Sequence, residues 1–285
     1  MSLTDEEIEE LESKAEQIRE IIVNMLVSAG SGHTAGPLGM ADIFSALYFH
    51  VLNQNSKDPE WSERDRLILS NGHIVPVRYA AMALAGYFPV EETLTLRKFG
   101  TRLQGHPERL KLPGLETTSG PLGEGLPQAA GMAYALRMDN KKEQVFVVMG
   151  DGEQDEGIIW ESVMWTSKNK LSNLTAIIDR NNIQIDGMTE DIMPLDSLKA
   201  KYEAFNWHVI EIDGHNIREF IDAVEEAKAI FEKPTLILAH TIPGKGVKEI
   251  EFDYHWHGKP PTKEEGKKFL QELRTHGGKV PGEYA

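Results

Sequence analysis

Between Val145 and Asn182 the chain reads strand, glycine turn, helix, strand, and no other stretch restricts the fold as tightly. The apolar run Val145–Met149 ends at Gly150, Asp151 and Gly152. A second apolar run, Leu174–Ile178, ends at Asp179, Arg180, Asn181 and Asn182. Glu156–Lys170, between them, has the pattern of a helix. Two apolar strands joined by a crossover helix form a parallel pair with the helix packed on one face. Both turns then stand at the carboxyl edge of the sheet, where ligands of such sheets bind. Glycines at a helix start let the backbone approach a phosphate group. An Asp after one strand and an Asn after the next can reach one cation. Magnesium takes six oxygens and commonly shares some with phosphate. The candidate metal ligands are therefore the Asp151 carboxylate, the Asn181 amide oxygen and the Ile183 carbonyl. A lone Asp after a strand more often just caps a turn; the joint pattern favours a metal–diphosphate site.

The flanking sequence repeats the alternation. Thr4 and Glu7 have the spacing of a capping box. Ile8, Leu11, Ala15, Ile18, Ile22, Met25 and Leu26 then recur at helical intervals up to Gly30. Gly30–Gly39 reads as a glycine-rich loop, Met40–Leu52 as a helix, and Arg66–Ser70 as a short buried strand. Asn71–His73 turns into an alanine-rich helix, Val77–Ala85, and Glu91–Gly100 reads as a short helix. Thr101–Gly131 is mostly loop, dense in Gly and Pro, and leads into a helix ending near Met138. A loop that long inside a compact domain is usually functional or disordered, and its low charge and its Gln104–Glu108 and Thr118–Gly125 stretches favour the functional reading. Trp207–Asp213 and Pro234–His240 read as strands, Asn216 caps a helix over Ile217–Phe231, and Thr262–His276 is a terminal helix. The expected class is α/β, with a mostly parallel central sheet and helices on both faces. No Pro/Gly/Ser-rich linker divides the sequence, so residues 1–285 read as one domain with an N-terminal helix and a C-terminal helical tail.

The chain carries 45 acidic and 30 basic residues, a formal net charge of −15. That balance, without a Lys/Arg cluster, argues against nucleic acid as a partner. Phosphate affinity has to come from local N–H groups, histidine and metal. There is no cysteine, which excludes disulfides and thiolate metal sites. The acidic N-terminus has the wrong sign for a signal peptide. No run of about 20 apolar residues is present to span a membrane. A soluble cytoplasmic protein is the default expectation.

Three histidines lie in glycine-flanked loops: His33, His73 and His106. One such histidine is more often a structural residue, but three in one style of context suggest a common cavity. Imidazoles there can bind phosphate, carbonyl and hydroxyl groups and move protons near neutral pH. His257, before Gly258, is a fourth, and His255 is equally plausible from spacing alone. A zinc site is disfavoured because no His-x-x-x-His helix pair exists. Gly120–Gly123 is an ordinary turn by itself; functionally, Leu122 could support a ring while glycine backbone touches it. Glu156 suits the first turn of its helix on dipole grounds alone.

These motifs together resemble transketolase. The stretch Gly150–Gly157 through Asp179–Gly187 is similar to the thiamine-diphosphate motif. Ser31–His33, Ser70–His73, Gly105–Glu108, Ser119–Gly125 and His257–Gly258 resemble its successive signatures, in order, over roughly residues 10–260. The resemblance implies a thiamine-diphosphate-binding fold, with thiamine diphosphate and Mg2+ as cofactors. It assigns Asp151, Asn181 and Ile183 to the metal, Gly152, His73 and His257 to the diphosphate, and Gly120 and Leu122 to the cofactor's rings. His33, His106 and His257 would line the substrate channel, and Glu156 would sit at a subunit contact linking paired sites. Such enzymes move a two-carbon ketol unit from a ketose phosphate to an aldose phosphate. The carboxylate that activates the cofactor's aminopyrimidine lies in a second domain of full-length members. The expectation is therefore the N-terminal subunit of a split transketolase, inactive alone. Its partner would be a separate chain carrying the pyrimidine-binding and C-terminal domains, in a heterotetramer of two copies of each. The alternatives are a subunit of another thiamine-diphosphate-dependent ketol or aldehyde transferase, or a non-catalytic regulatory chain. The family's Pro-Gly is replaced by Thr34-Ala35, its usual Gln by Glu124, and its more common Lys by Asn71.

Overall fold

The structure is a computed structural model and describes residues 3–275. It opens with α1 (Asp5–Ala29), whose capping box pairs Thr4 with Glu7 and whose last turn closes on Gly30 in the left-handed region, at φ 62°. Next come α2 (Ala35–Gly39) and α3 (Ala41–Ala46), which widens over Leu47–Val51. The strands are β1 (Arg66–Leu69), β2 (Val145–Gly150), β3 (Leu174–Arg180), β4 (Ile183–Gln184), β5 (Gly187–Met188), β6 (His208–Asp213) and β7 (Thr235–His240). The remaining helices are α4 (Val75–Leu84), α5 (Gly125–Met138), α6 (Gly157–Lys168), α7 (Thr189–Ile192), α8 (Leu198–Ala204), α9 (Ile217–Ala229) and α10 (Lys263–Leu273).

Five strands form one parallel sheet in the order β1-β2-β3-β7-β6, and β4 and β5 form a small antiparallel hairpin. Side chains alternate across the sheet, as a strand's period of two requires. On β2, Phe146 and Val148 join an apolar layer with α1, α3, α4 and α9. Val145, Val147 and Met149 join the opposite layer with α5, α6 and α8. Both faces are covered, which is why these strands are continuous apolar runs. The register aligns Gly150 with Asp179 and Asp179 with Ala239. The residues that follow those strands are thereby fixed along one sheet edge.

The glycine-rich loop expected over Gly30–Gly39 is helical in its second half. Ala35 and Leu38 are fully buried, and Pro37 sits in the first turn, where its missing N–H removes no helix bond. Burial outweighs the low helix propensity of the two glycines and the proline. The helix expected over Glu91–Gly100 shortens to a tight turn over Val90–Thr95. Arg97 then takes φ 59°, incompatible with a continuing helix. The sequence reading omitted the β4–β5 hairpin, α7 and α8, which are short. The last helix ends at Leu273; Arg274 and Thr275, expected to continue it, form a turn, and His276 lies outside the described residues.

A buried ion cluster ties the helical layer to the sheet edge. Arg19 of α1 bonds the Asp42 carboxylate of α3, and both side chains are at least nine-tenths buried. His215 Nδ1 lies 2.7 Å from the same carboxylate, and the Ile242 N–H donates to His215 Nε2 at 2.7 Å. With Nε2 accepting, the ring proton sits on Nδ1 and points at Asp42. Asp42→Ala leaves a buried guanidinium without its partner, so unfolding free energy should fall by about 3–5 kcal/mol. Urea denaturation of the variant beside the wild type checks this.

Candidate active site

Four strand ends deliver the site. β1 is followed by Ser70 and Asn71, β2 by Asp151, β3 by Asn181 and β7 by Thr241. Asp151 is almost fully buried and its carboxylate is fully engaged. Oδ1 accepts from Gly152 N at 2.7 Å. Oδ2 accepts from Asn182 N at 2.7 Å and Arg180 Nη1 at 3.0 Å. Asn182 adopts φ 63°, a conformation Asn tolerates, and this turns the chain from β3 into the hairpin. Asn181 is held by its own neighbours: Nδ2 donates to Asp179 Oδ2 at 2.8 Å, and Oδ1 accepts from Ile183 N at 3.0 Å. The orientation of its amide oxygen is thereby fixed.

Glu153 is the knot of the site. Its Oε1 accepts from Gly123 N at 2.6 Å and also from the Ser70 hydroxyl. Its Oε2 accepts from Gly150 N at 3.0 Å. Ser70 Oγ in turn accepts from Gly125 N at 3.0 Å. A Cβ on Gly125 would lie 2.4 Å from Ser70 Cβ, so only glycine lets this loop close onto β1. One carboxylate thus joins the ends of β1 and β2 to the loop that carries Leu122 and opens α5.

Three imidazoles form the opposite wall. The His33 and His73 ring centroids are 4.8 Å apart, His73 and His257 5.1 Å, and His33 and His257 5.6 Å. Burial, then the charges of His257, Arg97 and His106, pull the proton affinity of His33 down to about 4. Burial followed by His33 and His257 pushes His73 well below its ordinary value, and burial lowers His257. All three are neutral at pH 7. Burial, opposed by the Thr241 hydrogen bond and reinforced by the Asp151 charge, raises Asp179 to about 7. Burial also raises Asp151, against the pull of Arg180.

These groups enclose a cavity of about 210 Å³. His33, His73, Leu122, Asp151, Gly152, Asn181, Ile183 and His257 all line it. Gly120, His106 and Glu156 do not. His106 stands at its rim, where a Cβ on Gly72 would lie 3.2 Å from the ring. Glu156 is exposed at the start of α6 and caps nothing with its side chain. Of the two late histidines, His257 lies in the cluster, whereas His255 is exposed and pairs with Asp253 at 2.7 Å. Sequence reasoning passed over Asn71, Glu153, Asp179 and Gln184 as site residues. Glu153 follows the glycine turn directly, and a glutamate there is indistinguishable from an ordinary helix-start acid.

Among the described residues, ten buried side-chain polar atoms have no hydrogen-bond partner, and four of them belong to residues that line this cavity: His33 Nδ1, Asn71 Oδ1, Gln184 Nε2 and His257 Nδ1. Buried polar groups are normally paired, so this concentration marks a place for a polar ligand. The glycines agree. A Cβ on Gly152 or Gly150 would meet nothing nearer than 3.6 Å, and neither has a positive φ. The protein itself does not demand glycine there; a close ligand would. No three His, Asp or Glu side chains among the described residues are arranged to hold a metal. A cation here would take one carboxylate, one amide oxygen and a carbonyl, with phosphate supplying the rest, which suits magnesium.

The parallel sheet with this cavity at its carboxyl edge defines a diphosphate-binding α/β protein. Residues 11–280 match the family model described as transketolase, thiamine diphosphate binding domain, and the chain belongs to that family. It is 42% identical over 268 residues to a 6-deoxy-6-sulfo-D-fructose transketolase subunit of Clostridium sp. (strain MSTE9), covering 94% of this chain and 98% of that one. It is 38% identical to an apulose-4-phosphate transketolase subunit of Phocaeicola vulgatus, covering 94% and 95%. The transketolase structure from Leishmania mexicana superposes with a TM-score of 0.88 at 31% identity, covering 100% of this chain and 43% of that one. The chain thus spans about two fifths of the length of that transketolase and nearly all of the two subunits.

The neutral imidazoles have a measurable consequence. Below about pH 6.5 the unfolded chain takes up a proton at residue 33, while the folded chain resists until about pH 4. Stability therefore falls as pH drops through that window, by roughly 3 kcal/mol from His33. His33→Asn should flatten the decline in denaturation midpoint between pH 7 and pH 4.5; an unchanged slope contradicts the assignment.

Proposed function

We propose that this chain, acting as a single diphosphate-binding domain, is the N-terminal subunit of a split transketolase that uses thiamine diphosphate and Mg2+. The observation that carries the reading is the set of unpaired polar atoms converging on the Asp151–Asn181 turn. Asp151, Asn181 and the Ile183 carbonyl would hold the cation. Gly152, His73 and His257 would receive the diphosphate, with neutral imidazoles donating N–H groups at no cost in charge repulsion. Leu122 and Gly120 would lie against the cofactor's rings. The bound cofactor would supply the electron sink for breaking and remaking a carbon–carbon bond.

This chain's own residues would orient the sugar and manage its protons. His33, His106 and His257 would bind hydroxyls of the substrate and exchange protons with them. The Glu153 knot would hold the Leu122 loop at a fixed distance from Asp151, and Glu156 would sit at a subunit contact. The reaction would transfer a two-carbon ketol unit from a ketose phosphate to an aldose phosphate. A cavity of about 210 Å³ is smaller than the ~300–1,000 Å³ of ordinary ligand sites. That supports a half-site completed by a second chain with the pyrimidine-binding and C-terminal domains, in a heterotetramer of two copies of each. The names of the two subunit-length relatives support the same division.

The chain mixed with its partner should transfer ketol units from a ketose phosphate donor, and the chain alone should not. Full activity of the chain alone would refute the division of the site. In the assembled enzyme, Asp151→Ala should weaken Mg2+-dependent thiamine diphosphate binding by a hundredfold or so, the usual scale for losing a ligating or orienting group. Calorimetric titration reads this; undiminished affinity would remove Asp151 from the metal.

A further inference from the structure

The carboxylate assigned to the metal already has a cation of its own. Arg180, the last residue of β3, has a side chain nine-tenths buried, and its guanidinium forks between two acids. Nη1 donates to Asp151 Oδ2 at 3.0 Å, and Nη2 donates to Glu190 Oε1 at 2.5 Å. The two acids differ in kind. The Asp151 side chain is 2% exposed and lines the cavity, whereas that of Glu190, on α7, is 44% exposed and does not. Arg180 does not line the cavity either, so it reaches the site only through Asp151. The donors divide unevenly over that carboxylate. Oδ2 accepts from Arg180, from Asn182 N at 2.7 Å and from the Thr189 hydroxyl at 3.4 Å. Among the described residues Oδ1 accepts from Gly152 N alone, which makes Oδ1 the oxygen with room for a cation. The guanidinium and the metal therefore need not compete for one atom.

The other two ligands assigned to the metal, the Asn181 amide and the Ile183 carbonyl, are neutral. Asp151 thus brings the one negative charge of the ligand set, and Arg180 offsets it at close range in a buried, weakly screened place. The other buried acids of the cavity have their oxygens engaged elsewhere: Asp179 by the Thr241 hydroxyl and the Asn181 amide, Glu153 by Ser70, Gly123 and Gly150. Magnesium sheds its water reluctantly and is usually held by carboxylates together with phosphates. We propose that Arg180 is a positioning residue acting through Asp151: as the resident counter-ion of that carboxylate it leaves the ligand set too weak to hold Mg2+ by itself, so that the cation is retained only together with the diphosphate. Glu190 sets the strength of the effect, because it takes a share of the same guanidinium's charge. The proposal rests on the reading of Asp151, Asn181 and Ile183 as metal ligands.

The test counts bound Mn2+, which takes the same oxygen ligands as Mg2+, by electron paramagnetic resonance. It uses the full-length chain assembled with its partner and freed of cofactor, with and without added thiamine diphosphate. The wild type should hold Mn2+ weakly alone and tightly once thiamine diphosphate is present. Arg180→Gln should tighten the binding of Mn2+ alone about tenfold, because a positive charge leaves the neighbourhood of the ligating carboxylate. Glu190→Gln should move it the other way, weakening Mn2+ alone roughly threefold, because the guanidinium's charge then falls on Asp151 undivided. A role confined to holding the fold would shift both variants in the same direction. Glu190 is exposed enough for its variant to fold, so it decides the sign even where Arg180→Gln does not fold. Unchanged or weaker Mn2+ binding in Arg180→Gln, or unchanged or tighter binding in Glu190→Gln, overturns the proposal. A wild type that binds no Mn2+ even with thiamine diphosphate refutes the metal–diphosphate reading and this proposal with it. Cofactor-dependent binding in the wild type with the wrong response in the variants refutes this proposal alone.

Discussion

The buried Glu153 carboxylate is the interaction on which the rest of the site depends. Its oxygens gather Gly150 N, Gly123 N and the Ser70 hydroxyl, which come from three separate segments. Burial raises its proton affinity, while the Ser70 hydroxyl and the two backbone donors favour the ionised form. Those donors have no alternative partner in the core, so replacing the carboxylate with an apolar group would strand them. The parallel sheet supplies the frame, and this one side chain converts a frame into a site of defined width. The same knot starts α5, because Ser70 holds Gly125 in place.

The electrostatics follow from burial rather than from net charge. A chain of formal charge −15 would repel a diphosphate at long range. Locally, the cavity lining offers neutral imidazoles and the Gln184 amide N–H with unmet hydrogen bonds. The Asp151 carboxylate, which lines the cavity, is already restrained by Arg180 and two backbone N–H groups. A divalent cation would reconcile that carboxylate with phosphate oxygens.

Much of the architecture was legible because it rests on short-range rules. Val145–Met149 and Leu174–Ile178 declare themselves as buried parallel strands, Thr4/Glu7 as a capping box, and Asn216 as a helix cap that does accept from Glu219 N at 3.1 Å. The Asp151 and Asn181 turns could be placed on one edge because parallel strands leave no other arrangement. Similar loop contexts grouped His33, His73 and His106, of which only the first two line the cavity, and His257, preferred to His255 because it precedes Gly258, does join them. What could not be read was set by distant contacts. Helix α2 exists because Ala35 and Leu38 are buried, not because Gly36 and Pro37 favour it. Glu153 looks like any first-turn acid until Ser70 and Gly123, 83 and 30 positions away in sequence, close on it.

The central claim is that the histidine cluster and the Asp151–Asn181 turn form one diphosphate site. Nuclear magnetic resonance of the imidazole protons during titration with Mg2+ and thiamine diphosphate tests it most directly. The account predicts that His33, His73 and His257 shift together and saturate at one stoichiometry, while the outlying His208, His240 and His255 remain still. Cofactor binding that leaves the three clustered histidines unmoved would contradict it.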